Sequence, residues 1–267
     1  MKTAVILFNL GGPDSLKAVR PFLFNLFKDP AIITLANPIR LLIAWLISSR
    51  RSGKAKGIYA QMGGKSPILE LTQQQANALE ERLNKLGNYK VFVSMRYWHP
   101  MSDVVAKNVA QYDPDKIILL PLYPQYSTTT TASSFANWDK ACEKIALKKP
   151  TSKICCYPTE HNFVAAHARL IRDAYWKAAE AGKPRILFSA HGLPEKTVAG
   201  GDPYQFQVEK TVAGIVQILS VDQVDYSVCY QSRVGPLKWI GPSTEEEIER
   251  AGKDGVPIVV VPVAFVS

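Results

Sequence analysis

His191 is the first residue whose type and position suggest chemistry. It ends the apolar run Arg185–Ala190, which follows the breaker Gly182-Lys183-Pro184 and precedes Gly192-Leu193-Pro194. A short apolar run bounded by Gly and Pro predicts a buried strand, so His191 stands where a strand leaves its sheet. In open α/β sheets, ligands bind beyond the carboxyl ends of the strands. An imidazole there can take a proton or hold a metal near neutral pH; alternatively, it packs beside its turn against a backbone carbonyl. Two further strand ends are rich in polar and aromatic groups. Arg96-Tyr97-Trp98-His99 closes the run from Val91 to Trp98, and Tyr123-Pro124-Gln125-Tyr126-Ser127 follows Lys116–Leu122. Asn9 and Leu10 end a first strand, Thr3–Leu10, and are expected to face the same crevice as His191.

Other residue types are less suited to a site. His161 and His167 are six apart and do not share a helical face, so both are expected at caps or on the surface. Cys142, Cys155, Cys156 and Cys229 form no Cys-x-x-Cys pair, which argues against a zinc ribbon or a thioredoxin-like redox site. Cys155 and Cys156 are expected on one strand, facing opposite sides, as reduced thiols of a cytoplasmic protein. Gly11-Gly12-Pro13-Asp14-Ser15 is a tight turn without the spacing of a phosphate loop.

The elements that must position these groups alternate between short apolar runs and helix-length segments. That alternation predicts parallel sheets with right-handed crossovers. Two such series, split near Pro150, predict two doubly wound halves, 1–150 and 151–267, with a cleft between them. The second series runs from Lys153–Tyr157 through a helix near Asn162–Ala179, the His191 strand and a helix near Pro203–Leu219. Strands at Val224–Tyr230 and Ile258–Val263 complete it. Ser66 and Pro67 are expected to start a helix whose face carries Ile68, Leu71, Leu79, Leu83 and Leu86, with Gly87 closing it. The hydroxyl run Thr128–Thr131 is expected to cap a following helix.

Val19–Ile47 is apolar but broken by Pro21, Asp29, Pro30 and Pro38, so it does not read as a bilayer span. It carries Phe22, Phe24, Phe27, Leu41, Leu42, Trp45 and Leu46, and Arg50, Arg51, Lys54 and Lys56 follow. One reading is a greasy lip over a cleft, with cations for anionic headgroups or ligand carboxylates. The other is a pair of ordinary amphipathic helices. The 267 residues carry 47% hydrophobic and 21% charged residues, as in a soluble globular protein. The net charge of +9 points to an anionic partner. Nucleic acid is disfavoured, because the chain has no zinc-finger spacing, RNA-binding aromatic motif or long basic run. The N-terminus lacks a signal-peptide cleavage pattern.

These stretches together resemble the ferrochelatase family, which inserts ferrous iron into a porphyrin. The resemblance rests on Leu7-Phe8-Asn9-Leu10-Gly11-Gly12-Pro13, Gly63-Gly64-Lys65-Ser66-Pro67-Ile68 and Met95-Arg96-Tyr97-Trp98-His99-Pro100. It continues in Leu122–Ser127, Phe188–Pro194, Gly201-Asp202-Pro203-Tyr204, Tyr230-Gln231-Ser232-Arg233-Val234-Gly235-Pro236 and Trp239-Ile240-Gly241-Pro242. The motifs occur in family order along the whole chain. The resemblance implies two Rossmann-like, chelatase-type domains, each a parallel sheet flanked by helices, with the porphyrin in the cleft between them. It makes His191 the active-site residue, either as proton acceptor or as iron ligand. Arg51, Tyr59 and Ser66 match positions that hold the porphyrin and its propionates, with Arg50, Arg96 and Tyr123 at further cleft positions. Asp202, Tyr204, Gln231 and Trp239 match residues around the pocket.

The residue types suit that chemistry. An Arg fork matches a carboxylate, and apolar walls suit a macrocycle. The resemblance further implies protoporphyrin as substrate, since Leu10 stands where coproporphyrin-using relatives have Tyr. It implies ferrous iron as substrate and no permanently bound cofactor. No iron–sulfur cluster is expected, because Thr128 stands where cluster-bearing members have Cys. The family continues past the position of Ser267 with a Glu that pairs with the active-site His, so the chain is expected to be a truncated form. A cytoplasmic location is expected, and the Val19–Ile47 lip with Arg50 and Arg51 suggests loose contact with the inner face of the membrane. Two alternatives stay open at this point: a porphyrin- or haem-binding fragment without turnover, and a cobalt or nickel tetrapyrrole chelatase.

Overall fold

The structure, a computed structural model, describes residues 1–232 and 237–266. The motif residues Arg233-Val234-Gly235-Pro236, and Ser267 at the expected truncation point, lie outside the described residues. The chain packs as two units. One comprises 1–122 and 128–155; the other comprises 123–127 and 156–266.

The first unit is built on a four-stranded parallel sheet with the order β2-β1-β3-β4. Its strands are β1 (Lys2–Asn9), β2 (Asn88–Met95), β3 (Lys116–Pro121) and β4 (Thr151–Lys153). β1 is buried along nearly its whole length because it has neighbours on both sides and layers on both faces. That explains its unbroken apolar run. β3 alternates buried and half-buried positions instead. The helices of this unit are α1 (Val19–Phe27), α2 (Asn37–Gln61), α3 (Ile68–Leu83), α4 (Ser102–Tyr112) and α5 (Ser133–Lys144). Ala76 of α3 packs with Val5, Leu7, Val91, Val93 and Met95. On α5, Phe135 and Trp138 set their rings edge-on to Phe8 at 5.7 and 6.0 Å.

The second unit is built on the parallel sheet β6-β5-β7. Its strands are β5 (Arg185–His191), β6 (Asp225–Gln231) and β7 (Ile258–Pro262). Its helices are α6 (His161–Ala179), α7 (Glu195–Ala199), α8 (Tyr204–Leu219) and α9 (Thr244–Asp254). β5 lies in the middle and is buried from Arg185 to Ala190, while His191 emerges exposed. Ile171 and Tyr175 of α6 and Val208, Val212 and Ile215 of α8 close its core with Phe188 and Val261.

Several local expectations need correction. Thr151–Lys153 pairs with β3 and so completes the first sheet, whereas the segment was expected to open the second series. Cys155 and Cys156 lie beyond it in irregular chain. The Thr128–Thr131 run does not supply the N-cap of α5, which is Ala132: it forms a π-helical turn, Thr128–Ala132, that runs straight into α5. β2 stops at Met95, so Arg96, Tyr97 and Trp98 belong to a loop. α3 ends at Leu83 with Asn84 as C-cap, and Gly87 lies past it. α2 runs on to Gln61 and therefore contains the whole basic stretch Arg50–Lys56. α9 was not anticipated. Its signal is in the sequence, however: Ser243 and Glu246 form a reciprocal capping box at its start.

Candidate functional site

Within the first unit, three of the sequence motifs meet at the carboxyl end of β1. Gly11 has φ +81°, and a side chain there would meet Met95 Cβ at 3.1 Å and the Trp98 backbone nitrogen at 3.2 Å. At Gly12 an added Cβ would lie 2.4 Å from Ser66 Oγ and 2.5 Å from Ser66 Cβ. Only glycine allows the turn after β1 to press against both the β2 loop and the loop before α3. Backbone bonds reinforce the cluster: Arg96 and Tyr97 donate to the carbonyls of Asn9 and Leu10 at 2.8 and 2.9 Å, and Ser66 donates to that of Pro13 at 2.8 Å. Asn9 is buried and donates through Nδ2 to Thr72 of α3 at 3.0 Å. Ser66 is not the formal N-cap, which is Pro67; its Oγ still accepts the Ile68 N–H at 3.3 Å.

Arg50 and Arg51 are exposed on α2. The Arg51 guanidinium lies 5.8 Å from the Phe27 ring of α1, a cation–π distance. Tyr59, two turns on, is half-buried, and that burial raises its phenol pKa. Arg96 is occupied differently. Its Nη2 donates to Asp29 Oδ2 at 2.6 Å and its Nε to Ser133 Oγ at 2.8 Å. The same Asp29 oxygen accepts from the Tyr97 hydroxyl at 2.8 Å and from Ser133 Oγ at 2.6 Å, and Oδ1 accepts the Ala31 N–H at 2.9 Å. Asp29 therefore ties the α1–α2 connection to the β2 loop and to α5. Nothing in the motif reading singled it out, although it is the only acid among nine Lys and Arg between Ser15 and Lys65.

In the second unit, His191 pairs in register with Gln231 of β6. Solvent reaches the ring, yet protein atoms crowd it on most sides, and that partial dehydration holds its pKa below the ordinary imidazole value. Gly192 follows and donates to the Gln231 carbonyl at 2.8 Å. A side chain at Gly192 would meet that carbonyl at 3.1 Å and the Trp239 ring at 3.3 Å, so Trp239 lies flush against the strand end beside His191. Tyr204, at the start of α8, is buried and hydrogen-bonded to the backbone of His191; burial raises its phenol pKa well beyond the usual value. Asp202 caps this region, accepting the Tyr204 N–H at 3.0 Å and the Ser127 hydroxyl at 2.9 Å. Tyr126 donates its N–H to Gln207 at 2.7 Å, and Gln125 donates to Thr211 at 2.9 Å. The Tyr123–Ser127 segment, in which Tyr123 is buried, is thus fastened to α8.

His191, Tyr204, Gln231 and Trp239 are accordingly brought together at one strand end, while Ser66 gathers with the Gly-Gly-Pro turn. His167 is half-buried, its ring stacked edge-on to Phe163 at 4.8 Å, and burial lowers its pKa. Among the described residues no group of three or more His, Cys, Asp or Glu is arranged to hold a metal. A neutral imidazole beside a phenol and an indole can accept a proton or offer one nitrogen to a cation.

Comparison with known proteins bears on these residues. The family model described as Ferrochelatase matches residues 2–267. A protein named Ferrochelatase from Wolbachia sp. subsp. Drosophila simulans (strain wRi) is 56% identical over 269 residues, covering 100% of this chain and 85% of the relative. Relatives of the same name from Caulobacter vibrioides (strain NA1000 / CB15N) and Rickettsia bellii (strain OSU 85-389) are 53% and 51% identical. Each alignment covers 100% of this chain, with 76% and 74% of the respective relative. A solved structure described as SirB from Bacillus subtilis with Fe3+ superposes with a TM-score of 0.50 at 12% identity, covering 98% of this chain and 76% of that one. At that identity the likeness is one of fold.

Proposed function

The chain belongs to the ferrochelatase family, and on that premise we propose that it inserts ferrous iron into protoporphyrin IX to form protohaem, the terminal step of haem biosynthesis. The reaction exchanges two pyrrole protons for one divalent cation, so the protein must accept protons at the macrocycle and hold the ring while a dehydrated cation enters it. His191 is the residue proposed for the first task. The observation that carries this is its exposed position at the end of β5 together with its lowered pKa. The lowered pKa favours the neutral imidazole, whose free nitrogen lone pair can take a pyrrole proton. The same lone pair suits ferrous iron, and the two roles exclude each other at any one instant.

Arg50 and Arg51 are proposed to receive propionates, because their guanidinium groups are exposed on a helix with no acidic residue. Tyr59, Ser66, Tyr123, Tyr204 and Trp239 are proposed to line the macrocycle. Arg96 contributes by its hold on Asp29, which fixes the chain between α1 and α2. No cluster or other resident cofactor enters this scheme. Among the described residues no helix is long and apolar enough to cross a membrane. The exposed side chains Ile39, Leu42 and Trp45 support peripheral contact with the cytoplasmic face of the membrane, where an apolar porphyrin partitions.

The test is an anaerobic insertion assay on the complete protein. His191→Ala is expected to abolish formation of protohaem while leaving porphyrin binding, read as quenching of Trp fluorescence, within about threefold of wild type. Turnover at a tenth or more of the wild-type rate would remove His191 from the mechanism.

A further inference from the structure

Between α1 and α2 lies a pocket of about 450 Å³ that none of the proposed porphyrin ligands lines. Its wall is apolar, made by Pro21, Phe24 and Trp45, and its rim carries Lys17, Arg20 and Lys56. Arg20 places its guanidinium 5.8 Å from the centre of the Trp45 ring. None of these three cations has a carboxylate within ion-pair distance among the described residues. They lie in the segment Ser15–Lys65, where nine Lys and Arg face a single Asp. That Asp, Asp29, is buried and already bonded to Arg96, so it cannot neutralise the rim.

We propose that this pocket is a socket for the phosphate headgroup of one anionic phospholipid, with the glycerol and upper acyl chain against Phe24 and Trp45. The proposal rests on the membrane contact inferred above and gives it a site. Charge selects the headgroup: three unpaired cations around an apolar wall match a phosphate carried on hydrocarbon. Exposure selects a bilayer over a soluble phosphate. Leu41 and Leu42 precede Trp45 by four and three residues and so share its helical face. All three are exposed, at 41, 59 and 50% respectively, and would otherwise stand in water. The socket is distinct from Arg51, whose guanidinium lies against Phe27.

The experiment is sedimentation of the complete protein with phosphatidylcholine vesicles made with or without phosphatidylglycerol. Wild type is expected to bind the anionic vesicles and to ignore the zwitterionic ones. Each rim cation accounts for about a fivefold share of that affinity, so Arg20→Gln with Lys56→Gln should weaken binding about 25-fold. Lys107→Gln with Lys148→Gln removes equal charge elsewhere on the same unit and should change binding less than about twofold. An equal loss in both pairs, or no loss in the first, overturns the socket while membrane contact stands. Wild type ignoring anionic vesicles overturns both. Release of wild type from the vesicles by inorganic phosphate at matched concentration shows a site for free anions and also overturns it. Iron insertion into a water-soluble porphyrin is measured alongside. An unchanged rate in Arg20→Gln with Lys56→Gln supports the proposal. A loss parallel to vesicle binding assigns the pocket to the porphyrin instead, and the proposal falls while the iron-insertion reading stands.

Discussion

Asp29→Asn is the most informative single change in the first unit. The carboxylate is 2% exposed and accepts four hydrogen bonds, three of them on Oδ2, from Arg96, Tyr97 and Ser133. An amide cannot reproduce this pattern. If its oxygen takes the Oδ2 position, its NH2 faces the Ala31 N–H; if it is turned over, its NH2 faces three donors. Either way donors confront donors, and the Arg96 guanidinium, in a side chain only 17% exposed, loses its counter-charge. Removing one partner of a buried ion pair costs about 3–5 kcal/mol. Arg96 keeps its bond to Ser133 and some access to water, so about 3 kcal/mol is expected, a large part of a typical domain's stability. Equilibrium urea unfolding read by Trp fluorescence measures the loss. A double-mutant cycle with Arg96→Met isolates the pair, with an expected coupling of about 2 kcal/mol. A loss below about 1 kcal/mol, or coupling below about 0.5 kcal/mol, would refute the view that Asp29 clamps the α1–α2 connection.

Other outcomes follow from the same geometry. Gly12→Ala would force a methyl group to within 2.5 Å of Ser66; a cost of about 1–3 kcal/mol and a raised KM for porphyrin are expected, by calorimetry and steady-state assay. Tyr230→Phe removes a buried hydroxyl with no hydrogen-bond partner among the described residues. Chemical denaturation should therefore find stability unchanged or raised by up to about 1 kcal/mol. His191 and His167 both have pKa values lowered by burial. Between those lowered values and the ordinary imidazole value of about 6.5, the unfolded chain binds more protons than the folded one. Stability should therefore fall as pH drops from about 6.5 through the folded-state pKa values, by at most about 1.4 kcal/mol per pH unit for each His. His167→Asn should flatten the slope in pH-dependent urea titrations.

Much of this molecule is legible from residue order. The apolar runs at Thr3–Leu10 and Arg185–Ala190 mark the central strands, because a strand with neighbours on both sides and layers on both faces has no solvated side to alternate with. His191 at a strand end, the two Gly-rich turns and the capping box at Ser243 are likewise written locally, since each depends on residues a few positions apart. What sequence could not decide depends on contacts across long separations. Thr151–Lys153 joins the first sheet because its backbone finds β3, a choice invisible in three polar residues. That Asp29, 67 positions away, holds Arg96 is likewise invisible in residue order. Glycine at position 12 is required by Ser66 pressing on it, which only folding brings about. The lowered pKa of His191 has the same origin: imidazole chemistry belongs to the residue, but the dehydration that tunes it comes from side chains that only tertiary packing assembles around it.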